Sequence, residues 1–227
     1  MNGMLAQELD FTSLPVYLFL GQVYFDLGNF IQATQPLETY ILYHPDDLVA
    51  LNLLSDTYLE TGREEDAIEL LGQAIAIDDT WELRYARGVL FLKIDDGESA
   101  LDDLTIANNL RRNDFDVTIA LGLAYLALDN FNAAYVRFDG AENLAQSDEQ
   151  LASVYYHRAL ALEAFGDPNS LIAAERDWND LLGLPEEIVP KEWMETAVEH
   201  LLILNPPTPT STFTPTVTPT ATRTPTQ

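Results

Sequence analysis

The chain contains no cysteine and only two lysines, Lys93 and Lys191. The first absence excludes a disulfide framework and any Cys-ligated zinc or iron–sulfur centre. Basic residues are scarce overall, 11 against 37 acidic ones, for a formal charge of −26. A body of that sign repels a duplex, so a nucleic-acid binder that neutralises phosphates is excluded. Long apolar runs are missing too. The best candidate, Leu14 to Phe25, is interrupted by Gly21 and Gln22, so the chain has no transmembrane segment. No basic residue precedes Arg63, which leaves no charged region for a secretory signal near Met1.

Catalytic signatures are also wanting. No Gly-rich phosphate loop and no nucleophile elbow occurs. The three histidines, His44, His157 and His200, each lack a second ligand at metal spacing. Each reads as a surface or interhelical residue. The acid pairs Asp46-Asp47, Asp78-Asp79 and Asp95-Asp96 recur at turns. They read as helix N-terminal charges and solvated loops rather than as acid–base pairs or calcium loops. The expectation is a protein that is not an enzyme and carries no cofactor or metal.

What is present divides at Asn205. From Pro206 to Gln227 the chain holds 6 of its 12 prolines, 10 threonines and one charge, Arg223. Proline removes backbone donors and extends its predecessor. With Phe213 and Val217 as the only sizeable apolar groups, residues 206–227 read as a disordered Thr/Pro-rich stalk or linker. The rest is apolar enough to fold.

Within that body a period recurs. A small residue is followed three positions later by an aromatic or leucine: Gly21/Tyr24, Ser55/Tyr58, Gly88/Phe91, Gly122/Tyr125 and Ala159/Leu162. The spacings are 34, 33, 34 and 37. Twelve residues after the first four small residues come Ala33, Ala67, Ala100 and Ala134. Leu37, Leu71, Leu104 and Phe138 follow, and then Tyr40, Ala74, Ala107 and Ala141. A fifth unit resumes the pattern at Ala174, Trp178 and Leu181 after three extra residues at Asp167-Pro168-Asn169. Spacings of three and four share a helix face, so each unit reads as an antiparallel helix pair. Turn formers separate the two helices: Leu27-Gly28-Asn29, Thr61-Gly62-Arg63, Asp95-Asp96-Gly97 and Asp129-Asn130.

This pattern resembles the tetratricopeptide repeat. The first unit carries the resemblance best, through Tyr17, Leu20, Gly21, Tyr24, Gly28, Ala33, Leu37 and Pro45, with Tyr40 where the family prefers alanine. The second lacks the glycine (Ser55) and the proline (Asp79), and the fifth is degenerate. The resemblance implies an all-α fold: a right-handed α-α superhelix, or solenoid, over residues 14–185, in units 14–47, 48–80, 81–114, 115–148 and 149–185. Pro190 and the apolar stripe of Trp193, Met194, Ala197, Val198, Leu201 and Leu202 predict a capping helix within 186–205. Residues 1–13 read as a partial repeat or an N-terminal cap, because Ala6 and Leu9-Asp10 fall where a preceding unit would end.

The resemblance also implies that the first helices of the units line a concave groove. Its expected lining is Leu18, Gln22, Phe25, Asn52, Asp56, Leu59, Tyr85, Val89, Leu92, Ile119, Leu123, Leu126, Tyr156, Leu160 and Glu163. Asp26, Glu60, Glu82 and Asp116 rim it. The Lys/Arg/Asn set with which some members grip a terminal carboxylate is absent, Lys93 being the only basic candidate. An apolar floor with an acidic rim suits a protein or peptide segment with apolar anchors and basic flanks. The expected function is a protein–protein interaction scaffold. The alternative is an accessory domain of a larger signalling or catalytic protein. The stalk resembles those of surface proteins and points to an extracytoplasmic location; the missing signal points to the cytoplasm.

Overall fold

The computed structural model describes residues 14–206. The partial repeat or cap expected over 1–13, and the stalk beyond Pro206, lie outside the described residues. Eleven helices are described. They run α1 (Leu14–Asp26), α2 (Phe30–Tyr43), α3 (Leu48–Glu60), α4 (Glu64–Ile77), α5 (Trp81–Lys93) and α6 (Gly97–Leu110). Then come α7 (Phe115–Ala127), α8 (Phe131–Glu142), α9 (Asp148–Phe165), α10 (Pro168–Leu182) and α11 (Lys191–Leu204). Each helix packs on its neighbours in sequence, and α1 on α3, α5 on α7 and α7 on α9 also touch. The result is a solenoid of stacked helix pairs, each pair holding mostly to the next.

The repeated small residues close each pair. Gly21, Ser55, Gly88, Gly122 and Ala159 are buried on the first helices. Facing them from the second helices are Leu37, Leu71, Leu104, Phe138 and Trp178, all buried. A methyl group added at Gly88 would stand 2.7 Å from Leu104 Cγ, and at Gly21 and Gly122 it would overlap Leu37 and Phe138. Glycine is thus needed there for close approach. Ala33, Ala67, Ala100, Ala134 and Ala174 are fully buried one turn earlier on the second helices.

The turns repeat as closely. Gly28, Gly62, Asp95, Asp129 and Gly166 take positive φ at the ends of the first helices. In the first four units the residue after it donates its amide to the carbonyl of Tyr24, Tyr58, Phe91 or Tyr125, each at 2.8 Å. In the third unit the glycine does not serve the turn: Asp95 takes the left-handed conformation, and Gly97 opens α6, buried against Ala127 and Leu128. First helices α3, α5, α7 and α9 are capped by the side chains of Asp47, Thr80, Asp114 and Ser147. Tyr40, where the family prefers alanine, donates its hydroxyl to Asp47 Oδ2 at 2.8 Å and so braces the cap of α3.

Helix α9 runs to 18 residues, against 13 for the other first helices, chiefly because it begins further ahead of its small residue, Ala159. Asp167, Pro168 and Asn169 instead cap and open α10. Beyond α10, α11 buries Ala197 against α10 and α9, in a cluster with Trp178, Leu181 and Val189.

Candidate partner-binding surface

The expected groove residues do not share one degree of exposure. Asn52, Asp56 and Val89 are exposed. Leu18, Gln22, Phe25, Leu59, Tyr85, Leu92, Leu123, Leu126, Tyr156, Leu160 and Glu163 are half-buried, and Ile119 is buried. Phe25 and Leu59 pack on the core of the first two units, Tyr85 and Leu92 on that between the third and fourth, and Leu123 and Leu126 on that of the fourth. Most of the residues expected to line the groove are therefore partly exposed side chains that also pack on the core of the solenoid.

At the fifth unit the last helix meets one of these residues. Trp193 of α11 stacks on Tyr156, with ring centroids 4.5 Å apart and planes 10° apart. His157 sits beside that stack, edge-on to Trp193 at 5.6 Å and parallel to Phe138 at 5.8 Å. Burial pushes its pKa down to about 4, so the ring is neutral. Glu163 accepts from Trp178 Nε1 at 2.5 Å and meets His200 Nδ1 at 2.5 Å with its other oxygen. His44 lies against Tyr40 at 4.7 Å. His157 and His200, the latter 5.2 Å from the Trp178 ring, thus pack between helices, while His44 is exposed at its junction. Among the described residues, no cluster of three or more acidic or histidine side chains is placed to hold a metal ion.

Acidic residues line the edge. Asp26, Glu60, Glu82 and Asp116 are exposed. Asp56 is exposed as well, yet the surrounding protein removes part of its solvation; that, and then the Glu60 carboxylate, raise its pKa. Tyr85 is raised by lost solvation first and then by Asp116 and Asp114. At both groups lost solvation first, and neighbouring carboxylates second, disfavour the negatively charged form. Lys93, the basic candidate in the groove, is engaged by Glu64 at 2.7 Å.

Other cations are similarly engaged within the chain. Arg63 meets Glu38 and Asp66, Arg84 meets Asp79 and Asp103, Arg87 meets Asp103, and Arg111 meets Asp114. Arg158 is held by Asp177, Glu142 and Asp139. Two of these clasps are the same structural element, unrecognised in the periodic reading. Arg87 and Arg158 each precede the small residue of a first helix; Asp103 and Asp177 each precede the large residue facing it. The signal was an Arg and an Asp at matched positions of units three and five.

Residues 24–88 match the family model described as tetratricopeptide repeat. Among solved structures, a crystal structure of MamA protein superimposes with a TM-score of 0.66 at 22% identity, covering 78% of this chain and 98% of that one. MamA from Desulfovibrio magneticus RS-1 gives a TM-score of 0.69 at 17% identity, covering 76% and 94%. MamA AMB-1 gives 0.65 at 22%, covering 80% and 100%. Among curated proteins, none matches this sequence. The described chain shares with these structures a solenoid of stacked helix pairs, of the tetratricopeptide-repeat type. Among the described residues, no helix is long and apolar enough to cross a membrane.

Proposed function

We propose that the chain is a non-catalytic scaffold whose concave surface takes a protein segment with apolar anchors and Lys/Arg flanks. One observation carries the reading. Exposed carboxylates of successive first helices (Asp26, Asp56, Glu60, Glu82 and Asp116) border half-buried apolar side chains, while the groove's own lysine is neutralised by Glu64. Such a surface gains from desolvating apolar anchors and from attracting a cation, and it repels acidic chains. Long-range attraction speeds encounter, so salt acts mainly on association.

Peptides with Leu or Phe anchors and Lys/Arg flanks, compared with the same anchors between Glu flanks, test it by fluorescence anisotropy. Only the basic set should bind. Asp56→Lys with Asp116→Lys should weaken that binding by about tenfold, mostly in the association rate. These side chains are exposed and hold no apolar core, so the melting temperature of the variant should match that of the parent. Equal binding of both peptide sets, or unchanged binding by the variant, would overturn the reading.

A further inference from the structure

The first face of α1 differs from its equivalents in every later unit. Val16 is 51% exposed, while the residues at its register in the other first helices, Ala50, Leu83, Val117 and Val154, are all buried. Phe19 is 66% exposed; its counterparts Leu53 and Ala120 are buried, and Ala86 and His157 half-buried. Leu20 is 37% exposed, whereas Leu54, Leu121 and Arg158 are buried. In units two to five this face lies against the preceding unit, where α2 meets α3, α4 meets α5, α6 meets α7 and α8 meets α9. Three adjacent large apolar side chains open to water on a highly charged chain are a face that has lost its partner.

We propose that residues 4–13 of this same chain cover the face. Three register positions favour this occupant. Ala6 stands eight residues before Leu14, as Tyr40 does before Leu48 and Ala107 before Phe115, and both of those are buried. Leu9 occupies the position of Tyr43 and Leu110, the last residues of α2 and α6. Ser13 immediately precedes α1, as the capping residues Asp47 and Asp114 immediately precede α3 and α7. Chain continuity supplies the fourth argument, since the segment joins α1 at its first residue and needs no long loop. A second copy of the chain would bring another net charge of −26 to the contact. The docked side would be Val16, Phe19 and Leu20, leaving Leu27 open.

The lack of native cysteine makes the test direct. Tyr40 and Ala50 share one buried cluster, so the equivalent pair is Ala6 and Val16. In the full chain, Ala6→Cys with Val16→Cys should form an intramolecular disulfide under mild oxidation. It should do so about tenfold faster than Ala6→Cys with Ile31→Cys, because docking raises the local concentration of the first pair only. Ile31 lies on α2, exposed and off the docked face. Hydrogen exchange in the unsubstituted chain supplies a second readout: amides of residues 14–20 should exchange more slowly than in a chain lacking residues 1–13. Equal closure rates of the two pairs, with no change in exchange on truncation, would overturn the proposal. Disulfide-linked dimers in place of the internal bond would also overturn it and assign the face to a second copy.

Discussion

Arg158 clasps Asp177 across α9 and α10 through two hydrogen bonds, Nε to Oδ2 at 2.7 Å and Nη2 to Oδ1 at 3.0 Å. Both side chains are almost wholly withdrawn from solvent. Arg87 and Asp103 repeat the geometry two units earlier, at 2.6 and 2.9 Å. In the second unit the same two positions hold Leu54 and Leu70, both buried. One solenoid therefore accepts an apolar or an ionic solution at one site, provided that the pair is complete.

That comparison predicts the outcome of breaking the pair. Asp177→Leu leaves the Arg158 charge buried without its main partner and should cost about 3–5 kcal/mol. The double change Arg158→Leu with Asp177→Leu copies the second unit and should recover most of the loss. Urea denaturation of the parent, the single and the double variant measures both effects. A double variant no more stable than the single one would mean that Glu142 and Asp139, and not Asp177, dominate the environment of Arg158.

Two glycines should respond oppositely to a methyl group. Gly88→Ala drives Cβ to 2.7 Å from Leu104 Cγ and should destabilise by about 1–3 kcal/mol through overpacking. Gly140→Ala, inside α8 with nothing within 4 Å, should stabilise by about 0.5–1 kcal/mol through helix propensity. Thermal melts of the two variants should bracket the parent.

His157 gives a pH signature. Its pKa, pushed by burial from 6.5 to about 4, makes the unfolded chain bind the proton more readily than the folded one. The stability from this group is complete above about pH 6.5, falls as pH drops, and is exhausted below about pH 4, a loss of about 3 kcal/mol. Carboxylates contribute their own acid sensitivity. The difference between the parent and His157→Leu isolates the histidine, and should shrink or reverse in favour of the variant between pH 6.5 and 4. A constant difference across that range would show that the ring titrates alike in both states.

Glu163 ties the last helix to the fifth unit. Glu163→Ala removes the acceptor of Trp178 Nε1 and the contact to His200. Leaving the indole N–H without its partner should cost about 1–3 kcal/mol. Hydrogen exchange should rise in α11 before it rises in α1 to α8, because each unit of a solenoid holds mainly to its neighbours. Uniform acceleration along the chain would show instead that the whole solenoid opens as one.

The sequence by itself determined the helix pairs. Gly21 and Leu37, or Gly122 and Phe138, stand sixteen residues apart because a short turn returns the second helix onto the first. The contact is local and must be written into nearby residues. The turns were legible for the same reason, except that Asp95 and not Gly97 takes the left-handed position, a choice among neighbouring polar residues that composition does not rank. What only the tertiary structure decided depends on packing between units. Tyr85 and Leu123 are half-buried and Ile119 buried in the stack, and helical period cannot say how far a neighbouring unit covers one side chain. The stacking of Trp193 on Tyr156, the buried Arg–Asp clasps and the open flank of α1 at Val16, Phe19 and Leu20 likewise follow from which helix lies against which. That arrangement is set by the assembled solenoid and by no single stretch of chain.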